Sequence, residues 1–372
     1  MSAPTATTTT YASDLVALLS IGPVEFLDSI FFSNCYAFGP SARVNRSGRD
    51  YVDIVVSGAA AARFYFGTAT QTADTLLTND TAQAVHPAYK HQAYLRLQQF
   101  SLGNSPAAPT GQIIAGRYPV ISWITAVNRI GDNANPAHVI AELLTSSQVG
   151  LGLALTKIKQ ASFESAAARF VTAAYGMSVY ITRQQPVSQL ITEICEYFGG
   201  ILRDNAGQAE LFIPSAPADL DDVPLLTAAH YIDEPKFDFG QWSDTINQLN
   251  VTYSEPQIYL QAAGWTEMND ANITRVGEPR LQTVDRRWLT TQANVTRYAK
   301  AVLNVKSKPL ATCSCRVLAS AVDGLLPGDS VRATVPDTGD ILLMMITQIT
   351  EETAGAQSVT LELTQDYSEV LP

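Results

Sequence analysis

The sequence has few charged residues for its length. Asp, Glu, Lys and Arg make up 16% of the 372 residues and hydrophobic residues 46%, whereas a typical soluble domain is about 25% charged. Because disordered chains are rich in charge and poor in apolar residues, this composition excludes an extensively disordered protein. Two explanations remain open: partner molecules cover part of the surface, or exposed strand faces carry Thr, Ser and Gln instead of charges.

The charge that is present is mostly negative. The formal net charge is −11, and an acidic surface repels phosphate, so the composition disfavours a protein that binds nucleic acid. The acidic residues either line a channel that DNA crosses without binding, or simply keep the protein soluble.

Cysteine is scarce and long apolar runs are missing. The four cysteines are Cys35, Cys195, Cys313 and Cys315. The last two share one face of a predicted strand, but no second close pair completes a tetrahedral zinc site, so we expect buried thiols. No apolar run approaches about 18 residues, and no basic segment precedes an apolar core at the start. The sequence therefore predicts no membrane-spanning segment and no secretory signal.

A recognisable catalytic or metal-binding motif is also missing. The sequence contains no HExxH, GxSxG, phosphate-binding loop or EF-hand pattern. Asp219, Asp221 and Asp222 lack the glycine and the final glutamate of a calcium loop. Glu193 and Glu196 lie three apart on a predicted helix, where carboxylates usually face water. The sequence thus predicts no cofactor, no metal and no catalytic residue, in a protein that is not an enzyme.

The first part of the chain has the pattern of an all-β region. Short alternating segments between Gly, Pro and Asn predict strands at 29–33, 50–56, 63–67, 94–100 and 115–125. We assign residues 1–130 to an N-terminal β-rich region, whose first ten residues read as a loose arm.

The periodicity changes after residue 130. Apolar residues at helical spacing predict three helices, with start signals at Asn135-Pro136, Ser162 and Pro186. A strand at 177–182 and a hairpin with its turn at 204–207 are also predicted. Residues 131–232 therefore form a predicted α/β insert domain, with a linker at 214–224.

Residues 233–372 return to β character. A helix at 291–303 precedes predicted strands at 312–319, 330–335, 341–347 and 359–363. Because a small closed barrel hides the edges of short strands, we predict a C-terminal β-barrel domain, completed by N-terminal strands. The predicted fold class is α+β, β-rich and multidomain, with small β-barrels and an inserted α/β domain.

Several motifs, in order along nearly the whole chain, resemble those of phage tail tip attachment proteins. They are residues 18–24 (LLSIGPV), 66–71 (FGTATQ) with 86–95, 100–106 (FSLGNSP), 135–152, 184–202 and 325–331 (LLPGDSV). The chain departs from the family pattern at Ile21, where an acidic residue is usual, and at Ser105, where an arginine is usual.

This resemblance implies a structural hub at the distal end of a phage tail or of a tail-derived particle. The implied assembly is a homotrimeric ring that connects the sixfold tail to the threefold tip and lines the DNA exit channel. The implied partners are further copies of the chain, the ring of distal tail protein, the C-terminus of the tape measure protein, and a separate central fibre or receptor-binding protein. DNA would only pass through. The implied location is the distal tail tip of a virion that is assembled in the cytoplasm of the host bacterium.

Residues 86–113 contain a well-formed strand without chemistry, which favours a subunit interface where backbone pairing and shape provide the contact. The candidate interface residues are Tyr94, Leu95, Arg96, Leu97, Phe100, Arg286 and Trp288. Two other functions stay open. One is a receptor- or carbohydrate-binding tail tip protein that uses exposed aromatics such as Trp265 and Trp288, and the other is a cell-wall hydrolase that uses Asp or Glu carboxylates.

Overall fold

The computed structural model describes residues 10–32, 35–39, 43–75, 77, 86–108, 110–179, 186–255, 261–286, 289–351 and 357–366. Among these residues, the chain divides into two compact units, one ending at Tyr118 and one beginning at Pro119. The division into three domains at residues 130 and 232 stays a prediction. The predicted N-terminal arm lies almost entirely outside the described residues.

The first unit consists of two sheets. Its strands are β1 (Tyr11–Ile21), β2 (Phe26–Phe32), β3 (Cys35–Phe38), β4 (Val44–Asn45), β5 (Tyr51–Ile54), β6 (Ala61–Phe66), β7 (Gln92–Gly103) and β8 (Gly111–Gly116). The first sheet has the order β1-β7-β6-β5, and all its pairs are antiparallel. In the second sheet, β2 pairs with β3, β4 and β8.

The two sheets share one hydrophobic core. Phe64 and Phe66 of β6 and Leu95 of β7 lie in the same cluster as Leu27 and Ile30 of β2. Alternation places Phe64 and Phe66 on one face of their sheet, and a register shift between Leu27 and Ser29 lets Leu27 and Ile30 both reach the core from β2. Each fully buried Leu or Phe contributes roughly 1.5–3 kcal/mol, so this cluster holds the unit together.

The strand prediction at 115–125 is wrong beyond Gly116, where β8 ends. Residues 117–128 form a loop instead. Pro119 has no backbone N–H to donate, and the N–H groups of Ile121 and Thr125 bond to the side chains of His138 and Glu164 rather than to a neighbouring strand.

The second unit begins with a helical part. Its elements are β9 (Arg129–Ile130), β10 (Asn133–Ala134), α1 (Pro136–Thr145), α2 (Gln160–Thr172), α3 (Val187–Phe198), β11 (Ile201–Asn205) and β12 (Gln208–Phe212). The predicted start of α1 is confirmed, because the side chain of Asn135 accepts from the N–H of Ala137. The glycine pair at 199–200 predicts the end of the third helix, and α3 does end at Gly199, whose left-handed φ of 69° suits glycine.

Two details of this part differ from the predictions. Ser162 does not cap α2, which begins two residues earlier; its hydroxyl donates to the carbonyl of Lys159 and accepts from the N–H of Leu211. No strand forms at Met177, which makes a single bridge to Ala134, and residues 180–182 lie outside the described residues.

The rest of the second unit contains two further sheets. The elements are β13 (Leu225–Leu226), β14 (Lys236–Phe239), β15 (Gln248–Glu255), β16 (Gln261–Met268), α4 (Asp270–Val276), β17 (Leu281–Asp285), α5 (Gln292–Lys306), β18 (Ala311–Leu318), β19 (Ser330–Thr334), β20 (Ile341–Glu351) and β21 (Ser358–Gln365). One sheet has the order β16-β15-β17. The other has six strands in the order β13-β19-β20-β21-β18-β14, so the four strands predicted at the C-terminal end are confirmed.

The six-stranded sheet curls into a half-barrel. Leu226 from one end of the sheet and Val317 from near the other end lie in the same core cluster. Tyr231 bridges to Val317, and its hydroxyl donates to the carbonyl of Thr334 on β19. Among the described helices, none is long and apolar enough to cross a membrane.

Candidate assembly surface

The predicted interface strand lies inside the first unit. Tyr94, Leu95, Arg96, Leu97 and Phe100 are all at most 5% exposed. Leu95, Leu97 and Phe100 belong to the shared core. A contribution of these five side chains to a subunit contact would therefore be indirect, through the shape of the sheet, and their assignment to an interface stays a prediction.

A buried charged cluster lies on the other face of the same sheet. Arg63 and Arg96 are cross-strand partners on β6 and β7. The carboxylate of Asp74 lies 3.6 Å from Nη1 of Arg63 and 3.7 Å from Nε of Arg96, and the side chains of Asp74 and Arg96 are fully buried. Beside them, the rings of Tyr65 and Tyr94 stack at 4.3 Å. Burial raises the pKa of both tyrosines. Their hydroxyl groups therefore stay protonated and neutral beside the ion pairs of Asp74.

Residues 66–71, one of the family-like motifs, hold a neighbouring loop by hydrogen bonds. The buried Gln71 accepts from the N–H of Gly67 at 3.0 Å. Its amide nitrogen donates to the carbonyls of Ala88 at 3.0 Å and Tyr89 at 2.9 Å. Gln71 thereby fixes the segment that leads into β7.

Gly67 sits where the backbone of three segments meets. Its φ is 79°, and a Cβ there would lie 2.8 Å from both the N of Ala93 and the carbonyl oxygen of Gly22. Only glycine fits this position without a shift of the backbone.

The β1 strand is the exposed edge of the first sheet. Among the described strands it pairs only with β7. Leu15 and Leu19 pack against the core, whereas Val16 and Leu18 are 42% and 58% exposed. Because no described strand pairs with its outer side, this 11-residue edge presents backbone N–H and C=O groups with apolar side chains beside them, a combination suited to pairing with another strand.

The loop at 117–128 is held in place by side chains of the two helices that follow it. The buried His138 accepts from the N–H of Ile121 at 3.3 Å and contacts the carbonyl of Ala126 at 3.0 Å through its other ring nitrogen. The carboxylate of Glu164 accepts from the N–H groups of Thr125 and Ala126. Burial lowers the pKa of His138, against the opposing effects of the Ala126 carbonyl and of Glu164, so a neutral imidazole holds this loop.

A second charged cluster, partly buried, ties the β11–β12 hairpin to the turn at 325–331. Arg203 bonds to Glu210 at 2.9 Å and to Asp329 at 2.8 Å, and Lys159 bonds to Glu210 at 2.7 Å. Burial opposes the ionisation of Glu210, but hydrogen bonds from Lys159, Asn205 and Arg203 prevail and lower its pKa to about 2. This second family-like motif is therefore also bound within the fold.

Arg286 is bound within the second unit. Its guanidinium donates to Glu196 at 2.9 Å and to the hydroxyl of Tyr298 at 3.1 Å. Glu196 is thus paired with a cation, while Glu193 accepts from Gln189. Trp288, the other candidate in this region, lies outside the described residues.

Within the part of the chain that the structure describes, no cluster of three His, Cys, Asp or Glu side chains could hold a metal ion. Cys195, Cys313 and Cys315 are buried free thiols, as predicted. The charged clusters described in both units are paired within the chain. This arrangement suits a rigid scaffold whose edge strands, such as β1, contact partner proteins. Neither charged cluster could be located from the sequence, because the partners lie in separate elements.

No known family model and no curated protein matches this sequence. Among solved structures, the chain is similar to a chain of the virion of the native gene transfer agent (GTA) particle, with a TM-score of 0.60 and 14% identity over 98% of this chain and 81% of that one. It is also similar to the tail protein from Neisseria meningitidis MC58 (TM-score 0.40, 11% identity, 94% of this chain and 100% of that one). A third similar structure is the 43 kDa tail protein of prophage MuSo2 from Shewanella oneidensis (TM-score 0.36, 10% identity, 97% and 100%). The first similarity shows a shared fold, so the β-rich α+β fold is confirmed, and the resemblance stated from the motifs is confirmed at the level of the fold.

Proposed function

We propose that this chain is the structural hub of a phage-type tail tip, and that three copies form a ring at the distal end of the tail tube. The observation that carries the proposal is the fold shared with a chain of a GTA virion over 98% of this chain. In this role the ring joins the sixfold tail to the threefold tip and surrounds the DNA exit channel.

The arrangement of the polar residues supports a scaffold. The family-like motifs at 66–71 and 325–331 serve to fix loops and a hairpin. Buried polar side chains that fix their own backbone, as Gln71 and Arg203 do, suit a chain that holds neighbours in a fixed geometry.

The proposed partners are the ring of distal tail protein, the C-terminus of the tape measure protein and a separate central fibre or receptor-binding protein. DNA passes through the ring without specific binding, which agrees with the net charge of −11. The proposed location is the distal tail tip of the virion, after assembly in the host cytoplasm. The absence of enzymatic activity stays a prediction.

The copy number of the chain in purified particles tests this proposal. Quantitative mass spectrometry of intact tails, calibrated with isotope-labelled peptides of this chain and of the tail-tube protein, should give three copies per tail. Six or twelve copies would contradict the hub and indicate a sixfold ring or a peripheral fibre protein. Imaging of particles with a labelled antibody against the chain should place it at the distal end.

A further inference from the structure

Two edge strands of this chain are longer than the other edge strands among the described residues. β1, with 11 residues, borders a sheet of the first unit, and β16, with 8 residues, borders a sheet of the second unit. The other described edge strands have six residues or fewer. Because an edge strand carries unpaired N–H and C=O groups, a long one is a template for a strand of another molecule.

Both long edges carry little charge for their length. Each strand contains one carboxylate and no Lys, Arg or Pro. Asp14 on β1 accepts from the N–H of Gln99 at 2.6 Å. Glu267 on β16 accepts from the indole N–H of Trp265 at 3.2 Å and lies 4.0 Å from the amine of Lys300. Each long edge thus carries a single charged group, and that group also bonds within the chain.

The short edge strands β5 and β14 carry more charge for their length. β5 has four residues, and one of them is Asp53, whose side chain is 66% exposed. β14 also has four residues, with Lys236 and Asp238 facing solvent. Short length and exposed charge are common ways to prevent edge pairing. β5 and β14 combine the two in four residues each, whereas β1 and β16 are two to three times as long with one carboxylate each.

Gly264, in the middle of β16, has no role within the chain that requires glycine. Its φ is outside the left-handed region, and a Cβ there would meet only Oδ1 of Asn250, at 3.6 Å. Glycine weakens a strand and commonly marks a place where another backbone approaches closely. Its position on this exposed strand therefore fits a neighbouring backbone alongside β16.

We propose that β1 of one copy pairs with β16 of the next copy. The two edges are unlike, so their contact is heterologous, and repetition of a heterologous contact closes into a ring when the rotation permits. This inference rests on the proposed threefold ring, in which three such pairings form. Pairing of β1 with β1 would be isologous and would give a twofold dimer.

Disulfide trapping in assembled particles tests the pairing. Val16→Cys is combined in turn with Ala262→Cys, Gly264→Cys or Thr266→Cys, because all four positions are partly or fully exposed along the two strands. Adjacent strands bring Cβ atoms to about 5.5 Å or less, so after oxidation at least one double variant should give a covalent trimer on a non-reducing gel. The wild-type chain and the four single variants, treated in the same way, should remain monomeric.

Three outcomes would overturn the pairing: a dimer from Val16→Cys alone, a disulfide confined within one chain, or no trimer from any double variant in particles that contain three copies. In the last case the hub would stand and only this contact would fail. A copy number other than three would overturn the hub, whereas closed covalent oligomers from a double variant would still support the β1–β16 contact.

Discussion

β1 and β7 lie side by side in one sheet and have similar apolar sequences, but they have opposite relations to solvent. β7 is nearly fully buried from Ala93 to Leu97, whereas β1 exposes most of its residues. An alternating apolar segment therefore identifies a strand but not its place in the sheet. The place decides whether the backbone edge and the outer side chains are available to a partner. The strand selected from the sequence as an interface is central, and its neighbour is the open edge.

The largest effect is expected from removal of the buried charge beside β7. Asp74→Asn keeps the size of the side chain but leaves Arg63 and Arg96 without their shared carboxylate. Loss of one partner from a buried ion pair costs about 3–5 kcal/mol. Hydrogen–deuterium exchange of β7 peptides measures this change; amide exchange that depends on opening of the unit should accelerate by a factor of about 10³.

Asp53→Asn is the matched control. Asp53 also pairs with Arg63, at 2.6 Å, but its side chain is 66% exposed, so its loss should cost less than about 1 kcal/mol. Equal effects of the two variants would show that the Asp74 cluster does not stabilise the sheet.

The direct contrast between the two strands is a pair of leucine truncations. Leu97→Ala on β7 removes a core side chain that is 2% exposed and should cost about 3 kcal/mol. Leu18→Ala on β1 removes one that is 58% exposed and should stay within about 0.5 kcal/mol. Exchange of β6 and β7 peptides in the isolated protein compares the two. A destabilisation of more than about 1 kcal/mol by Leu18→Ala would mean that β1 is part of the core and not a free edge.

The successes and failures of the sequence predictions follow from the range of the interactions. The ends of α1 and α3 were predictable because Asn135 and Gly199 act on backbone groups within a few residues. The loop at 117–128 was not, because Glu164 bonds to Thr125 from 39 residues away. Strands β6 and β7 were predictable from alternation. β1 was not among the predicted strands, and its edge position depends on pairing across about 80 residues, which no local pattern encodes.

The next effect concerns the point where β6 meets the start of β7 and the end of β1. Gly67→Ala would place a Cβ 2.8 Å from two backbone atoms, so we expect a loss of about 2 kcal/mol or more from strain and steric overlap. Gly48→Ala is the control, since Gly48 has the same φ of 79° in open space and should cost only about 1 kcal/mol. Exchange of the β6 and β7 peptides measures both variants, and equal losses would show that left-handed φ alone accounts for the effect.

The smallest effect extends the comparison to the start of the second unit, where a neutral histidine holds the loop that precedes α1. The pKa of His138 is lowered by burial, so the unfolded chain binds more protons than the folded one below about pH 6.5. This contribution to stability is complete above that pH and is lost as the pH falls. We expect a decrease of about 1 kcal/mol between pH 7.5 and pH 5.5, measured by urea unfolding with Trp fluorescence. All four Trp residues follow residue 118, so the signal reports the second unit. His138→Gln should remove the pH dependence, whereas His91→Asn, at an exposed site in the first unit, should keep it. A pH dependence that survives in His138→Gln would show that other groups cause it.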